Sequence, residues 1–304
     1  VRILVLRVDF ERDTPGSKTS GDGRFDLRRD EEARAIPIDP PPHDRSYFDS
    51  HLQALARYYD VMSGGALVLQ WDIFPAGQDS AYHLPDTPEY GPWIFSNSNP
   101  DVLLHAIELV GDALATADST DASLDFTRER DGSVEARYDS YLLFHAGADY
   151  QGDIYGDSPF DIPSFNLFVV DPFMVQDSTV AIDLVQVVPE SATQDGFYGA
   201  LNGVVTHEFG HQLTFEDLYD VKNGLPGVGA FSLMDSGENL YGTIVDPADT
   251  TQILPVRGVL PASLDPWHKF WVFPDGIDLV FPESYLSGDQ RRFETELEAI
   301  ELSN

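Results

Sequence analysis

The stretch GVVTHEFGHQLTFEDLYD, Gly203 to Asp220, contains His207-Glu208-Phe209-Gly210-His211, the H-E-x-x-H spacing. On a helix each residue advances about 100°, so the two histidines fall about 40° apart, one turn from each other on one face. Their imidazoles then converge on one point. Glu208 flanks them, placed to reach a metal-bound water rather than the metal. Leu201, Val205, Phe209 and Leu213 form the opposite stripe, suited to packing on a sheet, while Gly203 and Gly210 leave room beside the ligand face. A catalytic zinc site takes three protein ligands and an open position, so the motif is one ligand short. Asp217, six residues after His211, is expected to supply it. A chain that ends its helix near Thr214 and turns back can bring that carboxylate to the metal. Glu216 and Glu238 are the alternatives. The side chain of Glu216 should diverge from that of Asp217, and Glu238, between Gly237 and Asn239, has no helical pattern around it.

Composition narrows what such a site can serve. The 304 residues are 42% hydrophobic and 12% aromatic, enough for a sizeable core, and include no cysteine. Disulfides, thiolate metal sites and a cysteine nucleophile are therefore excluded. With 52 Asp and Glu against 18 Lys and Arg, the formal net charge is −34. Such a chain should repel nucleic acid and anionic membrane surfaces. The excess of acid and the scarcity of lysine suit a high-salt setting, where screening suppresses self-repulsion. Clustered carboxylates also suit calcium, which takes six to eight oxygen ligands. Asp220, Asp235 and Glu238 lie near the motif, whereas Asp22-Gly-Arg-Phe-Asp26 reads better as a solvated turn than as a calcium loop. No apolar run is long enough to span a membrane.

The rest of the chain reads as one α+β domain over residues 1–275, with a C-terminal extension at 276–304 that starts a further β segment. Ile3–Phe10 is apolar enough for a central strand, and a long polar loop follows from Glu11 to Asp44. A helix is expected at Ser46–Met62, capped by Asp49 or Ser50, then a strand at Ala66–Phe74 and a helix at Asp101–Ala115. Tyr141–His145, Asn166–Val170 and Ala181–Val188 are short strands. His268 follows Asp265-Pro266, a good helix start, and is expected to be structural; His43, His51, His83, His105 and His145 lack ligand spacing.

Beyond the motif, HEFGHQLTFEDLYD followed by GVGAFSLMDSG resembles the immune inhibitor A family of secreted metallopeptidases, which belongs with the metzincins. RILVLRVDF, YFDSHLQALARYYDVMSGGALVLQW, YDSYLLFHAGAD and PASLDPWHKFWVFP resemble further pieces of that family, spread over roughly residues 3–274. The resemblance implies a metzincin-like catalytic domain, with a twisted mixed sheet packed on helices. It implies one zinc ion held by His207, His211 and Asp217, Glu208 as catalytic base, and Met234 of Ser232–Gly237 as the Met-turn residue beneath the metal. It further implies a secreted, monomeric endopeptidase acting on protein substrates. The competing reading is an impaired, calcium-stabilised surface or binding module, against which the intact Glu208 argues. Tyr219 and Tyr241 are candidate oxyanion stabilisers. One position departs from the family: the turn's usual glycine is Thr214, and a β-branched residue at positive φ is strained.

Overall fold

The computed structural model describes residues 1–14, 16–94 and 101–274. Among them are eleven strands and five helices in the order β1 (Arg2–Phe10), α1 (Glu31–Arg34), α2 (Arg45–Met62), β2 (Gln70–Phe74), β3 (Tyr82–Leu84), α3 (Asp101–Thr120), β4 (Thr127–Arg130), β5 (Ser133–Ala136), β6 (Ser140–Ala148), β7 (Phe165–Val175), β8 (Val180–Ser191), β9 (Tyr198–Gly199), α4 (Leu201–Gln212), β10 (Tyr241–Val245), β11 (Ile253–Arg257) and α5 (Pro266–Val272). The main sheet runs β2-β1-β6-β8-β7, with β3 also pairing β1. Its strands are parallel except β7, which pairs antiparallel with β8 at one edge. This is a mixed α/β fold built on a twisted mixed sheet, compatible with the α+β class read from the sequence.

β1 is central because its apolar run is buried on both faces, as parallel strands between helices require. Side-chain alternation then sorts the helices. Phe144 and Gln186 meet α2 and α4: Phe48 of α2 packs 4.4 Å from the Phe144 ring, and the Gln186 amide donates to the Val205 carbonyl at 3.0 Å. Leu6, Leu143 and Val185 point the other way, onto Val110, Ala113 and Leu114 of α3.

Several boundaries differ from expectation. α2 begins earlier, capped by Asp44, whose carboxylate accepts the Ser46 and Tyr47 N–H groups. Asp49 lies inside the helix, where it instead accepts the Trp71 indole N–H and ties α2 to β2. α3 continues to Thr120 because Ala117 is still buried. The strand expected from Ala66 is paired only from Gln70, and the Glu11–Asp44 loop carries the short α1, capped by Asp30. The β4–β5 hairpin and the small β10-β11-β9 sheet add to the expected elements. The expected extension at 276–304 lies outside the described residues.

Candidate metal centre

α4 has no capping side chain of its own at Ala200. Asp39, from the long loop, accepts the Leu201 N–H at 2.7 Å and supplies both the missing acceptor and a negative charge at the helix N-terminus. The apolar stripe is buried as far as Phe209, with Leu201, Val205 and Phe209 all 0% exposed, while Leu213, its expected last member, is the half-buried C-cap that follows the helix. Phe209 packs on Tyr59, whose hydroxyl donates to the Thr206 carbonyl. The small sheet fixes the helix start from the other side, through Ala200 N–H to the Arg257 carbonyl and Gly203 N–H to the Gly258 carbonyl.

His207 and His211 face one another at 5.0 Å between ring centroids. The His207 Nδ1–H donates to the Leu233 carbonyl at 3.0 Å and the His211 Nδ1–H to the Phe215 carbonyl at 2.8 Å. We assign these tautomers from their partners, a carbonyl oxygen accepting only from N–H. When each ring is neutral, its Nε2 lone pair is thereby the one aimed at the site, as in metal-ligating imidazoles. Asp217 Oδ1 lies 3.3 Å from His207 Nε2 and 3.4 Å from His211 Nε2. That oxygen is buried and accepts no hydrogen bond among the described residues. A carboxylate oxygen with no hydrogen bond and two imidazole nitrogens, all within 4.8 Å of one another, form a donor set of the kind that zinc takes.

Of the alternatives, Glu216 is exposed. Glu238 approaches His207 from the Nδ1 side, 3.5 Å away, opposite to the converging Nε2 atoms. Its approach requires Gly203, where a Cβ would sit 2.1 Å from the Glu238 carbonyl oxygen. Gly203→Ala should therefore cost about 1–3 kcal/mol in urea unfolding, despite alanine's better helix propensity.

The chain returns to the site through a helix-terminating motif. Thr214 has φ +68°, the Thr214 N–H bonds the His211 carbonyl, and the Phe215 N–H bonds the Gly210 carbonyl, both at 3.0 Å. This is the Schellman arrangement, with buried Phe215 as its apolar plug. The turn keeps the geometry glycine would adopt, and threonine carries a strain of roughly 1–2 kcal/mol there. Thr214→Gly should raise stability by about 0.5–1 kcal/mol, strain relief outweighing glycine's extra unfolded-state entropy. Denaturant midpoints measure this, and an unchanged or lowered midpoint would show that the turn is unstrained.

Beyond the turn, the Leu218 N–H donates to the Met234 carbonyl at 2.7 Å. Met234 is 0% exposed and packs against Gly210, where an added Cβ would lie 2.7 Å from its sulfur. Asp235 holds the preceding loop by accepting the N–H groups of Gly227, Val228 and Gly229. Glu208 is 6% exposed and its carboxyl accepts no hydrogen bond among the described residues. Burial, and secondarily the Glu238 and Asp149 carboxylates, push its pKa up to about 7 against the opposing pull of His207 and His211. For His207 burial acts downward, but Glu238, Asp217 and Glu208 outweigh it and hold the imidazole at about 10. Burial raises Asp217, yet the two imidazoles more than reverse this and leave it well below the usual carboxylate range.

Tyr219 is half-buried beside Asp217, Glu238 and Glu208, its pKa raised first by burial and then by those carboxylates. Tyr241 is 78% exposed. Both line a cavity of about 440 Å³ that also includes Glu238 and Arg257. The larger cavity, about 1110 Å³, is lined by Asp9, Asp26, His43 and Glu190 and by none of the three donors. His43 pairs with Glu190 and His51 with Asn202, while His145 is fully buried and driven down to about 4 by that burial. Asp220 accepts the Lys222 N–H within its own turn, and Asp22 and Asp26 pair with Arg12 and Arg28. A second acidic group, Asp153, Asp157 and Asp195, also comes together; Asp153 accepts the Gly156 N–H of its own loop, and Asp195 accepts the Ile154 and Tyr155 N–H groups of that same loop.

No protein-family model matches the chain, and no curated protein matches it. The site must be read from its own geometry.

Proposed function

We propose that the chain is a zinc-dependent endopeptidase of the metzincin type, as its resemblance to the immune inhibitor A metallopeptidases implies, exported and acting on protein substrates. The observation that carries this reading is the buried Asp217 Oδ1, without a donor, between two imidazoles whose Nδ1–H groups are already committed to carbonyls. His207, His211 and Asp217 would hold the ion. Zinc, when bound, lowers the pKa of a water and polarises a carbonyl. Glu208, unbonded and poised near neutrality, accepts the proton of the attacking water and passes it to the leaving amine nitrogen. Tyr219, beside Asp217 and Glu208, is the better placed of the two tyrosines to donate to a developing oxyanion. Met234, packed against Gly210, supports the ligand helix from below.

An extended substrate suits the surroundings. β7 is an antiparallel edge strand, free to pair with a further strand among the described residues. Its approach is anchored by Ser164, whose N–H donates to Asp149, the carboxyl that acts through space on Glu208. The strand also reaches the ligand helix directly, where the Gln212 amide donates to the Asn166 side chain.

Casein or gelatin digestion tests the proposal. Cleavage should vanish on treatment with a zinc chelator and return on adding about one equivalent of zinc. Zinc-loaded protein that cleaves neither substrate would exclude a general endopeptidase and favour the binding-module reading.

A further inference from the structure

The turn that carries Asp217 is held by a helix far away in sequence. The Glu216 N–H donates to His268 Nε2 at 3.2 Å, and the His268 Nδ1–H donates to Asp265 Oδ2 at 2.7 Å. The same Asp265 oxygen accepts the Ser232 hydroxyl at 2.7 Å. Asp265 Oδ1 is occupied by the N–H groups of Trp267 and His268, so it also caps α5 and cannot swing away. His268 is 2% exposed and packs on Phe215 at 4.8 Å between rings.

We infer that Asp265 and His268 form a positioning clasp that couples the Ser232–Gly237 turn to the Asp217 turn and so sets the third donor of the metal centre. The reasoning starts from the backbone. Glu216 directly precedes Asp217, and its N–H points at an imidazole whose tautomer is dictated by Asp265. On the other side of Asp217, the Leu218 N–H is tied to the Met234 carbonyl, in the segment that Ser232 anchors to the same carboxylate. Asp217 is therefore bracketed by two backbone bonds, both traced back to Asp265. Such a bracket is needed because the turn contains Thr214 at φ +68°, a conformation that unsupported threonine leaves readily. His268 touches no donor atom of the centre; it acts through the backbone that carries one.

This inference rests on the metal reading, and its test separates the two. Zinc affinity is measured by chelator competition on the full chain and on His268→Phe and His268→Gln, with cobalt(II) absorption as a second readout. Phenylalanine keeps the ring contact with Phe215 but offers no acceptor to the Glu216 N–H. Glutamine restores an acceptor at about the reach of Nε2. The clasp predicts that His268→Phe loses roughly 10–100-fold in zinc affinity, as outer partners of ligands typically do. It also predicts an altered cobalt spectrum, faster exchange of the Glu216 amide, and substantial recovery of all three in His268→Gln. A His268→Phe chain that binds zinc as tightly as the parent overturns the clasp while leaving the metal reading intact. A parent chain that binds no zinc overturns both. Should His268→Phe fail to fold, His268→Gln decides alone: parent-like affinity and cobalt spectrum support the clasp, and a folded His268→Gln with neither overturns it.

Discussion

Glu208→Gln is expected to lower kcat/KM for casein peptides by about 10²–10⁴-fold, with zinc still bound at one per chain. The change is nearly isosteric and leaves His207, His211 and Asp217 untouched. It removes only the ability to accept a proton. The carboxyl has no hydrogen-bond partner to lose among the described residues, so the fold loses no bond. Its pKa, raised to about 7, means that burial already disfavours the charged form, and a neutral amide suits the same pocket. Stability above neutral pH should therefore be retained or slightly raised. The sign follows from linkage: a carboxyl with a raised folded pKa is fully tolerated below its unfolded value and costs stability as pH rises through the folded value. The loss should fall on kcat, with KM little changed, because proton transfer belongs to the transition state. Zinc content by metal analysis and single-turnover rates check both halves. Substantial proteolysis by the zinc-loaded variant would sink the assignment of Glu208.

The parts of this site legible in the sequence are those carried by one helix and one short turn. His207, Glu208 and His211 share a face by periodicity alone, and the buried stripe of Leu201, Val205 and Phe209 marks the opposite one. Asp217 was readable because a turn at Thr214 leaves few residues that can double back. What escaped was long-range or backbone-borne. The acceptors that aim the histidines are the carbonyls of Leu233 and Phe215, and a carbonyl has no residue-type signature. Asp39 caps α4 from a loop 162 residues earlier, and His268 supports Glu216 across 52 residues. In His268 the readable signal was the Asp265-Pro266 helix start, which spoke of local structure only. The β4–β5 hairpin did carry a sign, Asp131-Gly132, both at positive φ in the turn. Its flanks, Thr127–Arg130 and Ser133–Ala136, are polar and mostly exposed, so no apolar alternation marks them as strands.

Asp217→Ala is expected to weaken zinc binding by more than about 100-fold, since partners one shell further out already account for about 10–100-fold. The same variant should change how that affinity depends on pH. Zinc competes with protons for the imidazoles, and His207 is held at about 10 by Glu238, Asp217 and Glu208 against the effect of burial. Below that value each proton on His207 must leave before its Nε2 can bind, so the affinity of the parent chain rises with pH across the neutral range. Without zinc the stability runs the other way. A histidine whose folded pKa is raised above 6.5 contributes stability fully present below 6.5 and lost as pH rises through about 10. The thermal shift on adding zinc should accordingly grow from slightly acid to slightly alkaline solution. In Asp217→Ala the His207 proton loses one of its carboxylate partners, so the remaining weak binding should rise less steeply with pH. Chelator competition at several pH values measures both quantities. An unchanged zinc affinity would move the third ligand away from Asp217, and Glu238 would then have to approach from the Nδ1 side of His207. That route requires breaking the 3.0 Å bond from the His207 Nδ1–H to the Leu233 carbonyl.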